Sequence, residues 1–285
     1  MLSQQYPCCG QNNRGCKTAA NHVFKAPPVF MTAKYHHFAK TPQRTGLTKC
    51  VAIVLDCEMA GVKGGQGELI QLVAVDFFTG KTLIDTLVAP TLPIVDWRSW
   101  ISGVTKQDMD YAIRMGKALD GWQGARKELW KHIDSETILI GHALNHDLDV
   151  LRIIHTNVID SGILARRVSA NGQQCSLMRM SKELLGMVVQ NHGKSGHDCV
   201  EDTLATREVV LWCIRNPEGL KEWGKNQVKL EGPKKKKNDK ASDKTTETPD
   251  AYDAEQGGVS LITKSLENVY VDMNGVRRAV TTQFY

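Results

Sequence analysis

Short apolar runs separated by polar turns open the central part of the chain. A nearly unbroken apolar run covers residues 50–55, and two further runs follow at 69–78 and 83–88, with Thr79 and Gly80 between them. Apolar runs of this length, bounded by glycine and polar residues, are typical of strands, and two runs around a Thr-Gly turn are typical of a hairpin. The pattern therefore predicts three consecutive strands.

Helical periodicity dominates after these strands. Thr105, with Asp108 three residues later, predicts a capped helix start. Ser176 and Gly186 are expected to begin and end another helix, because serine caps helix starts and glycine commonly follows helix ends. The pattern predicts helices at 119–132, 147–155, 176–185 and 201–214, with strands at 137–140 and 158–159 between them. This order is typical of an α/β domain in which helices cover a mixed β-sheet.

The composition supports a folded domain. The chain has 285 residues, of which 41% are hydrophobic, enough for a sizeable core, and this excludes a wholly disordered or collagen-like protein. No run of about 18 apolar residues and no secretory signal is present, so we expect a soluble intracellular protein with no membrane partner. Five of the eight cysteines are scattered through apolar or helical patterns, which favours reduced, buried thiols.

The N-terminal segment is basic. Residues 1–49 contain seven Lys or Arg and no Asp or Glu, whereas the whole chain carries +5. A basic segment of this kind either binds nucleic acid or is a solvated tail. Residues 26–48 are predicted to be a basic linker. Residues 1–25 form a candidate Cys/His zinc-binding module, because three thiols and one imidazole can complete a tetrahedral Zn²⁺ site. The alternatives are free thiols or a mitochondrial presequence, although the helical pattern of a presequence is poor here. The candidate zinc ligands are Cys8, Cys9, Cys16 and His22.

The C-terminal part divides into two segments. Residues 219–258 contain few apolar residues, so they are predicted to form a disordered charged linker. The lysine run at 234–237 in this segment is typical of a nuclear localisation signal or a phosphate-binding patch, and equally of an ordinary mixed-charge linker. Residues 259–285 are predicted to form a hairpin-like extension around Asn274 and Gly275, a sequence typical of type I′ turns.

Acidic residues form three clusters in the central domain. Asp56 and Glu58 follow the first apolar strand two residues apart, which lets both side chains point to one side. The same spacing at Asp134 and Glu136 precedes its strand, whereas open α/β sheets bind ligands at the carboxyl ends of strands. The second cluster contains His142, His146 and Asp147, and the third contains His197, Asp198, Glu201 and Asp202. Each cluster alone is also explained by acids at helix starts.

In their order along the chain, these clusters resemble the DEDDh exonucleases of the RNase H-like superfamily, specifically the eukaryotic RNA exonuclease group. The resemblance covers about 50–215 and implies an exonuclease domain at 49–218, with an RNase H-like mixed sheet flanked by helices. Ala60, Ser161 and the glycine-rich loop 61–67 depart from the expected pattern without removing a required chemical group. The matching stretches are Leu55-Asp56-Cys57-Glu58-Met59, Ile94-Val95-Asp96, Ser102-Gly103-Val104-Thr105, Gly141-His142 through His146-Asp147 and Leu151, Asp160, Gly196-His197 and Val200-Glu201-Asp202.

The resemblance implies a two-metal hydrolysis. Asp56, Glu58, Asp147 and Asp202 would hold two Mg²⁺ or Mn²⁺ ions about 3.5 to 4 Å apart, because hard cations prefer carboxylate oxygens. By the same resemblance Asp56 would bridge both ions, and His197 would accept the proton of the attacking water. His142 and His146 are interpreted as structural or supporting groups, Asp198 and Glu201 as helix-start acids, and Trp97 and Trp100 as core or lid packing.

The resemblance also implies a 3′-5′ exoribonuclease that acts on single-stranded RNA 3′ ends and releases nucleoside 5′-monophosphates in the nucleus. Two alternatives stay open: a 3′-5′ DNA exonuclease of the same superfamily, and a non-catalytic nucleic-acid-binding scaffold. Cytoplasmic and mitochondrial locations are likewise open alternatives.

Overall fold

The chain divides into two compact units, residues 1–38 and residues 39–285. The computed structural model describes residues 34–45, 49–169, 172–191, 193 and 196–230. In the first unit the described part is a turn at 34–38, where the Phe38 N–H donates to the Tyr35 carbonyl oxygen over 3.2 Å. The candidate zinc ligands, the lysine run and the C-terminal hairpin lie outside the described residues.

The second unit contains a mixed β-sheet. Within the described residues its strands are β1 (Ala39–Lys40), β2 (Ala52–Val62), β3 (Gly67–Asp76), β4 (Thr82–Ala89), β5 (Ile94–Asp96), β6 (Leu119–Asp120), β7 (Ile138–Gly141), β8 (Ile153–Ile154) and β9 (Val158–Asp160). The main sheet has the order β6-β4-β3-β2-β7-β9, with β5 pairing to the end of β2, and β1 and β8 form a separate parallel pair. β2, β3 and β4 are antiparallel neighbours, whereas β2, β7 and β9 are parallel.

Helices cover both faces of this sheet. They are α1 (Ser99–Ser102), α2 (Lys106–Arg114), α3 (Gly121–Leu129), α4 (Asn145–Leu151), α5 (Ser161–Val168), α6 (Leu177–Leu185), α7 (Cys199–Arg215) and α8 (Pro217–Leu230). The predicted caps are confirmed: Thr105 and Asp108 form a capping box at the start of α2, Ser176 caps α6, and Gly186 ends α6 in a left-handed conformation.

Strand β2 separates the two main hydrophobic clusters, because alternate residues of a strand face opposite sides of a sheet. Ala52 and Val54 pack in the cluster that contains residues of α5, α6, α7 and α8. Ile53 and Leu55 pack in the cluster that contains residues of α3 and α4. This confirms the predicted α/β class, a mixed sheet flanked by helices.

Two predicted helix boundaries and one predicted linker boundary are wrong. The helix predicted at 147–155 ends at Leu151, because Arg152 adopts a left-handed conformation (φ 54°) and the next two residues pair with β1. The helix predicted at 119–132 spans Gly121–Leu129, since residues 119–120 pair with β4. The linker predicted at 219–258 is helical up to Leu230, because Leu220 is buried and Trp223 packs against the core.

Candidate active site

Asp56 and Glu58 lie within strand β2, on the face that Ala52 and Val54 also occupy. The sequence placed both acids just after a strand, and this is wrong because antiparallel pairing with β3 continues to Gly61 and Gly67. The parallel pairing of β2 with β7 stops at Val54 and Ile140, however. The two acids therefore lie beyond the carboxyl end of the parallel pair, where α/β sheets bind ligands.

Asp147 lies in the first turn of α4 and is buried. The loop between β7 and α4 contains Ala143, whose φ of 56° is unusual for a residue with a side chain. Asp160 holds this loop in place: its carboxylate accepts hydrogen bonds from the Ala143 N–H (3.2 Å) and the Leu144 N–H (2.8 Å). The same carboxylate also caps α5 by accepting from the Gly162 N–H (2.8 Å). Asp160 thus fixes the segment that leads to Asp147.

Asp202 lies in the first turn of α7, which Asp198 caps by accepting from two backbone N–H groups. Its Oδ2 accepts a hydrogen bond from Gln190 Nε2 (2.9 Å), and His197 Nδ1 lies 3.4 Å from the same oxygen. Its Oδ1 is buried and has no hydrogen-bond partner among the described residues. One oxygen of Asp202 is therefore held by protein donors, and the other is left for a ligand.

The loop before α7 places His197 beside this carboxylate. Its backbone N–H donates to the Ile101 carbonyl oxygen over 2.6 Å. Gly196 has a φ of +82°, and a Cβ added there would lie 2.3 Å from the Gly103 nitrogen. Only glycine permits so close an approach, so Gly196 joins the His197 loop to the segment after α1.

Two buried thiols contact the carboxylates. Cys199 Sγ lies 3.4 Å from Asp56 Oδ2, and the Cys57 thiol is hydrogen-bonded to Asp147. Both cysteines are free and buried, as the sequence predicts. Burial and the neighbouring carboxylates raise the pKa of both thiols. The sequence analysis did not predict the contacts of these two thiols with the carboxylates, nor the hydrogen bond from Gln190 to Asp202. No spacing in the sequence shows which side chain lies beside a distant carboxylate.

Burial and mutual repulsion shift the four carboxylates toward their neutral forms. Burial, and then the charge of Asp202, raise the pKa of Asp56 to about 7. Burial, and then the charges of Asp56 and Asp202, raise the pKa of Glu58 to about 8. Burial also raises the pKa of Asp147, with Asp56 next in effect, and burial raises that of Asp202. Shifts of this kind make the cluster a functional-site candidate, since a bound cation would favour all four ionised forms.

The residues present fit a divalent cation. Single ligand atoms of Asp56, Glu58 and Cys199 lie within 4.8 Å of one another. Asp202 adds a buried oxygen that lacks a hydrogen-bond partner, and its charge acts on both Asp56 and Glu58. Carboxylate oxygens are the preferred ligands of Mg²⁺ and Mn²⁺. The donor set and the shifted pKa values therefore suit a cation better than they suit an empty acidic cluster.

The other polar and aromatic candidates have different surroundings. His142 Nδ1 lies 2.8 Å from Ser161 Oγ, and burial lowers the pKa of this histidine, which agrees with a structural group. His146 is exposed. Trp97 packs on the small cluster around Met109, whereas Trp100 on α1 is 69% exposed and does not serve as core packing.

The strand order is that of an RNase H-like domain, and solved structures share this fold. The catalytic unit of Neurospora crassa Pan2, with its protease and nuclease domains, superposes with a TM-score of 0.56 at 21% identity, over 68% of this chain and 33% of that one. A likeness at this identity shows the fold alone. A family model described as "Exonuclease" matches residues 53–210. The chain therefore belongs to the exonuclease family, and proteins of this family depend on divalent metal ions.

Curated relatives extend the match beyond the domain. RNA exonuclease 3 of Saccharomyces cerevisiae is 36% identical over 230 residues, which cover 78% of this chain and 54% of the relative. Small RNA degrading nuclease 2 of Arabidopsis thaliana is 34% identical over 186 residues, 61% of this chain and 38% of that protein. The chain thus spans about half or less of the length of these relatives. No helix among the described residues is both long and apolar enough to cross a membrane.

Proposed function

We propose that this protein is a 3′-5′ exoribonuclease of the DEDDh type. It would hydrolyse the last phosphodiester bond at a single-stranded RNA 3′ end and release a nucleoside 5′-monophosphate. The proposal extends the family membership to a substrate and a direction, and the RNA-directed names of the matching relatives support it.

One observation carries the proposal. Carboxylates from three separated segments interact with one another: Asp202 of α7 with Asp56 and Glu58 of β2, and Asp147 of α4 with Asp56. The imidazole of His197 lies 3.4 Å from Oδ2 of Asp202. A scaffold that only binds nucleic acid has no need for four interacting acids, three of them buried, since acids repel phosphate. An enzyme that clamps phosphate oxygens between divalent cations needs that arrangement.

Asp56, Glu58, Asp147 and Asp202 would hold two Mg²⁺ or Mn²⁺ ions. When bound, such ions supply Lewis acidity and charge neutralisation at the scissile phosphate. His197 would accept a proton from the attacking water, since imidazole is suited to proton transfer near neutral pH. Because the Nδ1 atom of His197 faces Asp202, we propose that Nε2 takes this proton.

The test is digestion of 5′-labelled RNA and DNA oligonucleotides of one sequence with Mg²⁺, Mn²⁺ or EDTA. We expect a metal-dependent ladder that shortens RNA from its 3′ end, and Asp56→Asn should abolish it. Asp134→Asn is the matched control, because Asp134 likewise has a glutamate two residues later but lies outside the acidic cluster, where it accepts a hydrogen bond from the Glu136 N–H. Cleavage of DNA alone would contradict the proposed substrate, and retained RNA binding without cleavage of either strand would favour the scaffold.

Two further proposals concern segments outside the described residues. We propose that Cys8, Cys9, Cys16 and His22 bind one structural Zn²⁺; metal analysis of the purified chain should find one Zn²⁺ that triple replacement of the cysteines by serine removes. We also propose a nuclear location, which imaging of a fluorescent fusion tests. Loss of nuclear accumulation after replacement of the lysine run at 234–237 would assign the address to that run.

A further inference from the structure

Gln190 joins the end of α6 to the start of α7 through two hydrogen bonds. Its backbone N–H donates to Glu201 Oε2 over 2.8 Å, and its side-chain Nε2 donates to Asp202 Oδ2 over 2.9 Å. The preceding residue, Val189, is buried in the cluster that includes residues of α6 and α7. Gln190 therefore approaches the first turn of α7 from a segment that the core holds in place.

The contact with Asp202 is selective for one oxygen. A carboxylate oxygen only accepts hydrogen bonds, so the amide must present its NH₂ group to Oδ2. His197 Nδ1 faces the same oxygen at 3.4 Å. Oδ1, in contrast, is buried and without a hydrogen-bond partner among the described residues. The two oxygens of Asp202 are thus divided between the protein and a ligand.

The backbone of Gln190 supports a specific task for its side chain. Its φ is +59°, a left-handed conformation that favours glycine and costs on the order of 1 kcal/mol or more for a residue with a side chain. Glycine would keep the backbone hydrogen bond to Glu201 and avoid this cost. The amide is the group that glycine lacks, and its partner in the structure is Asp202.

We infer that Gln190 is a positioning residue, which turns Asp202 so that Oδ1 faces the divalent cation. This inference rests on the metal site of the proposed function. Groups that hydrogen-bond metal ligands fix the orientation of those ligands, and their removal typically weakens metal binding about 10- to 100-fold. Without the amide, His197 Nδ1 at 3.4 Å would be the remaining polar neighbour of Oδ2 among the contacts described above, and the orientation of the Asp202 carboxylate would be less restricted.

The test measures Mn²⁺ binding by titration calorimetry, without RNA. Gln190→Met keeps the length of the side chain and removes the amide, whereas Gln190→Gly also relieves the backbone conformation and is expected to fold. Gln227→Met is the matched control, because the buried Gln227 donates to Glu183 Oε2 over 2.9 Å between α8 and α6, away from the four acids. We expect about 10-fold weaker Mn²⁺ binding, or more, in both Gln190 variants and unchanged Mn²⁺ binding in Gln227→Met.

A folded Gln190→Gly that binds Mn²⁺ as the wild type does would overturn the inference. The proposed function fails by a different result, namely wild-type protein that binds Mn²⁺ but degrades no RNA. A second readout is the Mn²⁺ concentration that gives half-maximal RNA cleavage, which should rise in the Gln190 variants while the rate at saturating Mn²⁺ falls less.

Discussion

The sulfur of Cys199 lies 3.4 Å from Oδ2 of Asp56, so a thiol stands among the oxygen atoms of the proposed metal site. The ligand atoms of Glu58 complete a group that fits within 4.8 Å. Hard cations such as Mg²⁺ coordinate thiols poorly, whereas Zn²⁺ and Cd²⁺ bind them well. The site therefore offers a donor that only the softer metals use.

We expect micromolar Zn²⁺ or Cd²⁺ to inhibit Mg²⁺-dependent RNA cleavage, and Cys199→Ser to lower that sensitivity about 10-fold by removing the soft donor. The measurement is the inhibitor concentration at half activity. Cys50→Ser serves as the control, since Cys50 is half-buried and its thiol interacts with Asp76, which is not one of the four acids of the proposed site. Equal sensitivity in the two variants would argue against a role for the Cys199 sulfur.

The contribution of the acidic cluster to stability without metal should fall as the pH rises. The pKa of Asp56 is raised to about 7 and that of Glu58 to about 8, so between about pH 4 and pH 8 the folded protein binds more protons than the unfolded chain. Ionisation in this range therefore favours unfolding. Thermal melts in metal-free buffer measure this effect. The Tm of Glu58→Gln minus the Tm of the wild type should increase as the pH rises from 5 to 8.

Added Mg²⁺ should reverse this trend, because it binds the ionised carboxylates. We expect the wild-type Tm to rise with Mg²⁺ by several degrees at pH 8 and by much less at pH 5. A Mg²⁺ effect that is equal at both pH values would contradict proton and metal competition at these acids.

Replacing Asp160 should destabilise the protein through the loop that leads to Asp147. Asp160→Asn has one acceptor oxygen in place of two, while four backbone N–H groups donate to the native carboxylate. We expect the free energy of unfolding in urea to fall by about 3 kcal/mol. Asp198→Asn is the comparison, because Asp198 caps α7 and asparagine caps helices equally well. This substitution should lower the free energy of unfolding by less than about 1 kcal/mol.

Gly196→Ala should lower the rate of RNA cleavage more than Gly193→Ala does. Both glycines have positive φ, but a Cβ at Gly196 would overlap the Gly103 nitrogen, whereas a Cβ at Gly193 has no atom within 4 Å among the described residues. Displacement of His197 by about 1 Å can cost about 100-fold in kcat. Single-turnover RNA cleavage checks this prediction. Equal rates in the two variants would show that the close packing of Gly196 does not set the position of His197.

Strands β2, β3, β4, β7 and β9, most of the described helices and the α/β class follow from the sequence because they depend on local patterns such as apolar runs, caps and apolar faces. The order of Asp56, Glu58, Asp147 and Asp202 along the chain was likewise visible. The roles of Gln190 and Cys199 were not, since each depends on a contact between segments that only the folded sheet brings together. The end of α4 was also not predictable, because the apolar pattern continues to residue 155 while Arg152 adopts a left-handed backbone that ends the helix.

The attachment of the His197 loop has a mechanical consequence. The backbone of His197 is hydrogen-bonded to Ile101, and Gly196 lies against Gly103, whereas the four acids belong to β2, α4 and α7. His197, the proposed proton acceptor, is thus held from two directions, because Asp198, the next residue, caps α7, which carries Asp202. A displacement of the segment after α1 would therefore reach the proposed metal site through His197 and the Asp202 carboxylate beside it.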